Sequence, residues 1–330
     1  MQNLVVGIDI GGTNTVYGFV TEAGVCIFHA SFYTPNYPIF ENFVRELSNH
    51  IQFNFKSFSS QYKMIGIGVG APNANFKTGC IEHAVNLAWD KQLPLTQLLK
   101  DYFPLPVIIT NDANAAALGE MYYGGANKMQ NFMVITLGTG LGCGLVMEGK
   151  VYNGHHGHAG EVGHVIIRDQ GRSCSCGRKG CLETYVSASG IKRTVSKFLA
   201  KYDDKSVLRD IPFNKISAKK LAIAAYGGDK VAIESFEYTG KLLGKALANV
   251  AAINNPEAIF LSGGLAKAGD LILKPTFYHM EENLLSVLRG KIKLEISSLE
   301  DNAGVMGAAA LIFSHLDESY TSTSIKPSSV

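Results

Sequence analysis

The sequence predicts an α/β protein of two related lobes, with a metal-binding insertion in the second lobe. Its 330 residues exceed what one typical domain needs. A β-hairpin with a turn rich in glycine and threonine opens the chain at residues 4–20, and a similar hairpin occupies residues 132–147. A stretch rich in cysteine and histidine follows at residues 154–183. The repeated hairpin indicates a duplicated topology, and the cysteine-rich stretch indicates an insertion.

The first half of the chain is predicted to combine strands and helices. Short apolar, β-branched runs indicate strands, and apolar residues at spacings of three and four indicate helices. The predicted strands are 4–9, 14–20, 25–32, 64–69 and 107–110, and the predicted helices are 40–51, 94–103 and 113–123.

The second half also begins with a predicted β-hairpin and continues with strands and helices. The predicted strands are 132–137, 141–147, 258–261 and 291–297, and the predicted helices are 186–202, 218–225, 230–253, 284–288 and 305–314. The tail at 319–330 is rich in serine and threonine without apolar periodicity, which predicts disorder. We expect a small lobe of residues 1–118 with 302–330, and a large lobe of residues 119–301 that contains the insertion at 154–183.

Composition excludes several classes of partner. Only 18% of the residues are charged and the net charge is +2, so no basic field favours nucleic acid or an anionic membrane. The first ten residues lack a basic segment, and no apolar run reaches membrane length without polar interruption. Cys26, Cys80 and Cys143 are isolated, as expected for buried thiols in a reducing cytoplasm.

Four residues of the insertion are candidate metal ligands: His164, Cys174, Cys176 and Cys181. One imidazole and three thiolates match the tetrahedral preference of structural zinc, and nearby glycines allow tight turns between the ligands. The alternative is a reduced surface loop that happens to be rich in cysteine.

Glu161 and Glu183 flank this ligand set, so closure of the loop should bring two carboxylates and an imidazole edge together. Carboxylates accept strong hydrogen bonds from hydroxyl groups, which makes a sugar the natural candidate ligand. The alternative is that both glutamates only support the metal site or face solvent.

Three glycine-containing turns are candidate nucleotide contacts. Turns without side chains present backbone N–H groups to phosphate oxygens, and the threonines add hydroxyl donors. No Walker sequence is present, and each turn could equally be only a turn. The candidate phosphate contacts are Gly11, Gly12, Thr13, Asn14, Gly138, Thr139 and Gly140, and Gly263 with Gly264 would allow adenosine to approach the backbone.

Two aspartates follow predicted strands. Asp9 lies beside the first turn, where it could hold Mg²⁺ or cap the turn through its own side chain. Asp112 lies between a buried strand and a helix, where it could accept the proton of an acceptor hydroxyl during phosphoryl transfer. The alternative role of Asp112 is to cap the helix N-terminus.

Taken in order, five motifs resemble those of the ROK family of sugar kinases and repressors. The resemblance runs from the first strand to the last helix, and the cysteine motif is its most specific part. The motifs are Asp9-Ile10-Gly11-Gly12-Thr13, Asn111-Asp112-Ala113-Asn114-Ala115-Ala116-Ala117, Gly138-Thr139-Gly140, Glu161-Val162-Gly163-His164 and the sequence CSCGRKGCLE at residues 174–183.

The resemblance implies the duplicated two-lobe fold of the actin-like (ribonuclease H-like) ATPases, with ATP, Mg²⁺ and structural Zn²⁺. It makes Asp112 the catalytic base. It assigns the hexose contacts to Asn86, Asn111, Asp112, Glu161, His164 and Glu183. His164 would use one ring nitrogen for zinc and the other for the sugar. Where the family commonly has Ala-Pro-Gly, this chain has Ala71-Pro72-Asn73, which affects the loop that contains Asn86.

The activity implied is ATP-dependent phosphorylation of a hexose at its 6-hydroxyl, with glucose as the expected substrate. N-acetylglucosamine, N-acetylmannosamine and fructose remain alternatives, as does polyphosphate as donor. A family repressor needs a DNA-binding segment before the first strand, which is predicted to begin at residue 4, so we expect no nucleic-acid partner. A non-catalytic sugar-binding protein is the third reading. A homodimer or homotetramer is expected.

Overall fold

The computed structural model describes residues 1–84, 87–89, 91–299 and 303–323. The strands of the first half are β1 (Gln2–Ile10), β2 (Asn14–Thr21), β3 (Cys26–Tyr33), β4 (Tyr62–Ala71), β5 (Ala74–Asn75), β6 (Cys80–Glu82), β7 (Gln92–Leu93) and β8 (Val107–Asn111). Its helices are α1 (Phe40–Phe55), α2 (Leu95–Tyr102) and α3 (Asp112–Tyr123).

The second half adds strands β9 (Phe132–Leu137), β10 (Leu141–Met147), β11 (Lys150–Val151), β12 (Ala258–Ser262) and β13 (Lys293–Ile296). Its helices are α4 (Ala188–Lys201), α5 (Ala218–Tyr226), α6 (Lys230–Asn254), α7 (Asp270–Asn283) and α8 (Ala303–Thr323). Among the helices within the described ranges, none is long and apolar enough to cross a membrane.

The chain divides into two compact units. Unit 1 is Met1–Asn127, Asn153–Ala159 and Leu299–Val330, and unit 2 is Lys128–Tyr152 and Gly160–Ser298. This division differs from the predicted limits in three places, the smallest being that the C-terminal segment of unit 1 begins at Leu299 and not at residue 302. Residue 118 lies inside α3, which stays whole in unit 1 because it packs against α8. The start of the cysteine-rich stretch also belongs to unit 1, since Asn75 Nδ2 donates to the His156 carbonyl over 3.1 Å.

The two units share one sheet topology. The strand order is β3-β2-β1-β4-β8 in unit 1 and β11-β10-β9-β12-β13 in unit 2. In each unit the first strand pairs with an antiparallel hairpin partner on one side and with a parallel strand on the other. The duplication predicted from the two hairpins is therefore confirmed.

Alternation along β1 explains how unit 1 is layered. Leu4, Val6, Ile8 and Ile10 belong to the core beneath α1 and α2, whereas Val5 faces the opposite side, where α8 packs. Successive side chains of a strand point to opposite faces, so a strand buried on both faces must be apolar throughout. In unit 2, the helices α4 to α7 cover a single large core.

Two predictions about secondary structure are wrong. Residues 284–288 do not form a helix, because the helix lies just before them in α7 and the chain turns after Asn283. Pro275 inside α7 interrupted the helical pattern in the sequence. The tail was predicted to be disordered from residue 319, but helix α8 continues to Thr323. Once a helix has formed, each further residue adds one backbone hydrogen bond, so extension costs less than nucleation. Residues 324–330 of the predicted disordered tail lie outside the described residues.

Candidate active site and metal centre

The four predicted metal ligands of unit 2 come together. His164 Nδ1 lies 3.6 Å from Cys174 Sγ, and the sulfurs of Cys176 and Cys181 are 3.7 Å apart. All four ligand atoms lie within 4.8 Å of one another. A zinc tetrahedron with Zn–S of about 2.3 Å and Zn–N of about 2.0 Å has edges of roughly 3.5–3.8 Å. The donor set therefore has the identity that zinc requires, and the two ligand pairs at 3.6 and 3.7 Å already have the separation of a tetrahedron edge.

The thiols of this cluster differ in their readiness to ionise. Burial opposes ionisation of Cys176, but hydrogen bonds from Arg178 outweigh it and lower the Cys176 pKa to about 6. Burial and the neighbouring thiols raise the pKa of Cys181 to about 12. Burial likewise raises the pKa of Cys174. Three adjacent thiols cannot all lose their protons without a cation between them, and a bound metal ion supplies that charge.

Both predicted carboxylates contact the cluster, through different members of it. Glu161 Oε2 lies 3.8 Å from His164 Nε2, whereas Nδ1 of the same ring faces Cys174. Glu183 Oε1 lies 3.7 Å from Cys174 Sγ. His164 thus presents one nitrogen to the thiols and the other to a carboxylate, and its contact with a sugar hydroxyl stays a prediction.

The turn at Gly138–Gly140 is held from its carbonyl side by the start of α4. Ala188 N donates to the Gly138 carbonyl over 2.9 Å, and Ser189 Oγ donates to the Thr139 carbonyl over 2.9 Å. Ser187 caps α4 by accepting from Gly190 N over 3.0 Å. The turn is therefore fixed to a helix N-terminus, an arrangement that suits a phosphate-binding turn.

The first turn, in unit 1, is held by its own backbone and by the residues after β3. Gly11 N donates to the Asn14 carbonyl over 2.9 Å, and Thr34 N donates to the Thr13 carbonyl over 3.0 Å. Gly12, Thr13 and Asn14 are exposed. Their exposure leaves this turn accessible to a ligand.

Asn111, not Asp112, caps α3. The Asn111 side chain accepts from Ala113 N over 2.9 Å with extended backbone angles, which is N-cap geometry. Asp112 is the first residue of the helix, is exposed, and also accepts from Ala113 N over 2.9 Å. The helix dipole favours a carboxylate at this position. The capping role that competed with the catalytic role of Asp112 therefore belongs to its neighbour.

Asp9 ends β1 close to two other features of unit 1. Its carboxylate lies against Gly304 in the first turn of α8. Burial, and secondarily the charge of Asp112, raises the pKa of Asp9 to about 6. Two carboxylates that repel each other in this way favour a cation, because a bound ion removes the repulsion.

Asn73 occupies the position where the family commonly has the glycine of Ala-Pro-Gly, and the structure shows why asparagine fits there. It has a left-handed φ of 52°, which asparagine tolerates better than other side-chain-bearing residues. Its Nδ2 donates to the carbonyls of Glu82 and His83 over 3.1 and 3.2 Å. The chain therefore keeps a backbone conformation that glycine adopts readily. Asn86, the predicted hexose contact in this region, lies outside the described residues.

The two glycines after β12 have different surroundings. Gly263 has a φ of 90°, and a Cβ there would lie 2.8 Å from the carbonyl carbon of Leu137. A Cβ at Gly264 would meet nothing within 4 Å. Gly263 is therefore explained by the turn itself, whereas Gly264 leaves space beside the backbone.

This difference gives a prediction with an internal control. Gly263→Ala should lower the free energy of unfolding by about 1–3 kcal/mol, because it combines left-handed strain with a backbone clash. Gly264→Ala should change it by less than about 0.5 kcal/mol. Urea unfolding of both variants measures the difference. Equal losses would contradict the assignment of the strain to Gly263.

Some residues that shape the site were not predicted from the sequence. Arg172 donates to the carbonyls of Thr184 and Gly190 over 2.8 and 3.0 Å, and its guanidinium lies 4.4 Å from the ring centre of Tyr185. It thereby ties the cysteine-rich loop to α4. No sequence signal connects this arginine to its partners, whereas Ser187 could have been found as a cap before an apolar helix.

The duplicated strand order and the four-ligand cluster define the class of this protein, which has the actin-like ATPase fold with a Cys/His cluster in one unit. The chain belongs to the ROK family, which it matches over residues 5–315.

Named relatives support this assignment. A glucokinase from Halalkalibacterium halodurans is 38% identical over 314 residues, which are 93% of this chain and 94% of the relative. The crystal structure of a ROK family glucokinase from Streptomyces griseus, in complex with glucose and AMPPNP, is similar with a TM-score of 0.80 at 32% identity, covering 93% of this chain and 98% of that one. A xylose repressor from Caldicellulosiruptor bescii is 31% identical over 278 residues, 84% of this chain and 69% of the repressor.

Proposed function

We propose that this protein is an ATP-dependent glucokinase, which transfers the γ-phosphoryl group of ATP to the 6-hydroxyl of glucose. The observation that carries the proposal is the start of α3, where Asn111 is the N-cap and Asp112 is an exposed carboxylate at the first position of the helix. The relatives named glucokinase, one of them solved with glucose and AMPPNP, support glucose and ATP as the substrates.

Asp112 acts as the general base. Its carboxylate takes the proton of the 6-hydroxyl as that oxygen forms a bond to the γ-phosphorus, while the bond from the γ-phosphorus to the bridging oxygen of ADP breaks. Phosphoryl transfer needs positioning and charge neutralisation more than covalent chemistry from the protein. A general base acts in its ionised form, and the helix dipole favours a negative charge at the first position of α3.

The other predicted contacts divide between hexose and nucleotide. Asn111, Glu161, His164 and Glu183 hold hydroxyl groups of the hexose, as does Asn86, although it lies outside the described residues. The turns Gly11 to Asn14 and Gly138 to Gly140 hold the phosphates, and Gly264 leaves space for the adenosine. Asp9 would hold Mg²⁺, which neutralises charge on the phosphate oxygens.

Zinc has a structural role in this proposal. His164, Cys174, Cys176 and Cys181 would hold it, and the ion closes the loop that carries both glutamates. His164 keeps Nε2 on the side of Glu161, so that its ring can also meet a sugar hydroxyl. Three thiolate ligands must stay reduced, which fits a cytoplasmic protein.

A substrate panel tests the proposal. Initial rates with ATP should give the highest kcat/KM for glucose, at least about tenfold above N-acetylglucosamine, N-acetylmannosamine and fructose, since a pocket built for one set of hydroxyls rejects isomers that leave polar groups unpaired. The same panel with polyphosphate measures the choice of donor. A higher kcat/KM for an acetamido-hexose or for fructose would contradict glucose as the substrate.

The xylose repressor among the relatives favours a second candidate, a sugar-responsive binding protein without catalysis. Calorimetry separates the two. Hexose binding without any ADP formation, in the presence of ATP and Mg²⁺, would favour the binding protein over the kinase.

A further inference from the structure

Glu183 links the Cys/His cluster to the Gly138–Gly140 turn within unit 2. Its Oε2 accepts from Leu141 N over 3.0 Å, directly after the turn, and its Oε1 lies 3.7 Å from Cys174 Sγ. A single carboxylate therefore contacts both a predicted metal ligand and the backbone of the predicted phosphate-binding turn.

The turn is shaped to receive this carboxylate. A Cβ at Gly140 would overlap with the Glu183 carboxylate, so only glycine at that position lets the two approach. The backbone of Glu183 is also fixed, because its carbonyl accepts from Ser187 Oγ over 2.8 Å. Ala188 then donates to the Gly138 carbonyl over 2.9 Å. The Glu183 side chain thus holds the end of the turn at Leu141, and the backbone of Ala188 holds its start at Gly138.

Metal binding would restrain the Glu183 side chain from two sides. Cys174 Sγ lies 3.7 Å from Oε1, and Cys181 lies two residues before Glu183 in the chain. An ion held by both sulfurs would therefore fix the segment that carries Glu183 and keep Oε2 beside Leu141 N. Without the ion, only the contacts of the loop itself hold that segment in place.

We propose that Glu183 is a positioning residue that transmits the occupancy of the Cys/His cluster to the Gly138–Gly140 turn, so that zinc sets the affinity for nucleotide as well as for hexose. This inference rests on the proposed function, because it takes the turn as a phosphate contact. It extends that function by giving a residue predicted to bind sugar a second task at the nucleotide.

Amide hydrogen exchange tests the contact itself, without activity. In the zinc-loaded protein, Glu183→Ala should increase deuterium uptake in the peptide spanning residues 138–145, because Leu141 N loses its acceptor. Glu183→Gln should leave that uptake near wild type, since the glutamine carbonyl oxygen can accept the same bond. Equal uptake in all three proteins would overturn the inference.

Calorimetric titration with AMPPNP and Mg²⁺, without hexose, tests the consequence. Glu183→Ala should raise the Kd by about tenfold or more, the loss expected for a hydrogen bond to a charged group, while Glu183→Gln stays within about threefold. Glu234→Ala is the matched control, because Glu234 is an exposed residue of α6 outside the predicted site and its loss should leave the AMPPNP Kd unchanged. Each protein is first shown to be folded by circular dichroism and to contain one zinc.

Zinc removal completes a thermodynamic cycle. Removing zinc from the wild type should raise the AMPPNP Kd by about the same factor as Glu183→Ala does. Removing zinc from Glu183→Ala should raise the Kd little further, since zinc removal and the substitution act through the same contact. Fully additive losses would overturn the coupling. Should Glu183→Ala fail to fold, Glu183→Asp replaces it, because the shorter side chain keeps the charge but cannot span both partners.

The outcomes separate the two proposals. A folded, zinc-loaded wild type that binds no AMPPNP and phosphorylates no hexose would refute the proposed function, and the exchange experiment would still decide whether Glu183 holds the turn. A wild type that binds AMPPNP and phosphorylates glucose, with Glu183→Ala binding AMPPNP equally well, would refute only this inference.

Discussion

Asp112→Asn is expected to lower kcat for glucose phosphorylation by at least about a hundredfold while leaving glucose affinity within about twofold. The amide keeps the shape and hydrogen-bonding reach of the carboxylate but cannot take the hydroxyl proton. The fold should tolerate the change, because the helix cap is Asn111 and stays in place. Single-turnover rates and calorimetric glucose titration separate the loss of chemistry from the loss of binding.

The same substitution elsewhere in unit 1 provides the control. Asp101 is an exposed residue of α2 that is not among the predicted site residues, and its Oδ1 lies 3.5 Å from Gln97 Nε2. Asp101→Asn should keep wild-type turnover. A normal kcat for Asp112→Asn would eliminate Asp112 as the base, and an equal loss in glucose affinity would make it a binding residue instead.

Asp112→Asn should also change the pKa of Asp9. Burial is the main cause of the raised pKa of Asp9 and the charge of Asp112 is the second, so removal of that charge should lower the Asp9 pKa only part of the way toward its ordinary value. Because the two carboxylates interact, the effects of substitutions at Asp9 and Asp112 on activity should not be additive.

The duplicated topology was predictable because its signals are local. A two-strand hairpin with a glycine-rich turn needs only neighbouring residues to form, and the same pattern opened both units. The metal ligands were predictable for the same reason, since three of the four fall within eight residues. Helix α7 was missed because Pro275, normally a helix breaker, lies inside it.

Contacts between distant segments could not be predicted in this way. The Asn111 cap could not be told from an Asp112 cap, because both residue types cap helices and the choice depends on backbone angles. The carboxylate of Glu183 meets Leu141, 42 residues away, and nothing in either segment signals that bond. Sequence reasoning therefore named Glu183 as a sugar ligand and did not foresee its contact with the turn.

Cys176→Ser is expected to remove the zinc and lower Tm by about 10 °C. A metal present at about a thousand times its Kd stabilises the folded state by about 4 kcal/mol. For a unit of this size each kcal/mol corresponds to roughly 2–4 °C in Tm. Cys176 is the exposed ligand, so replacing its sulfur by oxygen should cost little unless a metal is bound there. Metal analysis and thermal unfolding by circular dichroism measure both effects.

The neighbouring Ser175 lies between two ligands and is exposed, which makes Ser175→Ala a matched control that should keep one zinc and the wild-type Tm. Chelator should lower the Tm of the wild type and of this control to that of Cys176→Ser, and should leave Cys176→Ser unchanged, because the variant has no metal to lose. A chelator-independent Tm in the wild type would mean that the cluster does not hold a stabilising metal. The carboxylates of Glu161 and Glu183 would then have to be positioned by Arg172 and the start of α4 alone, through the bonds that already tie the loop to that helix.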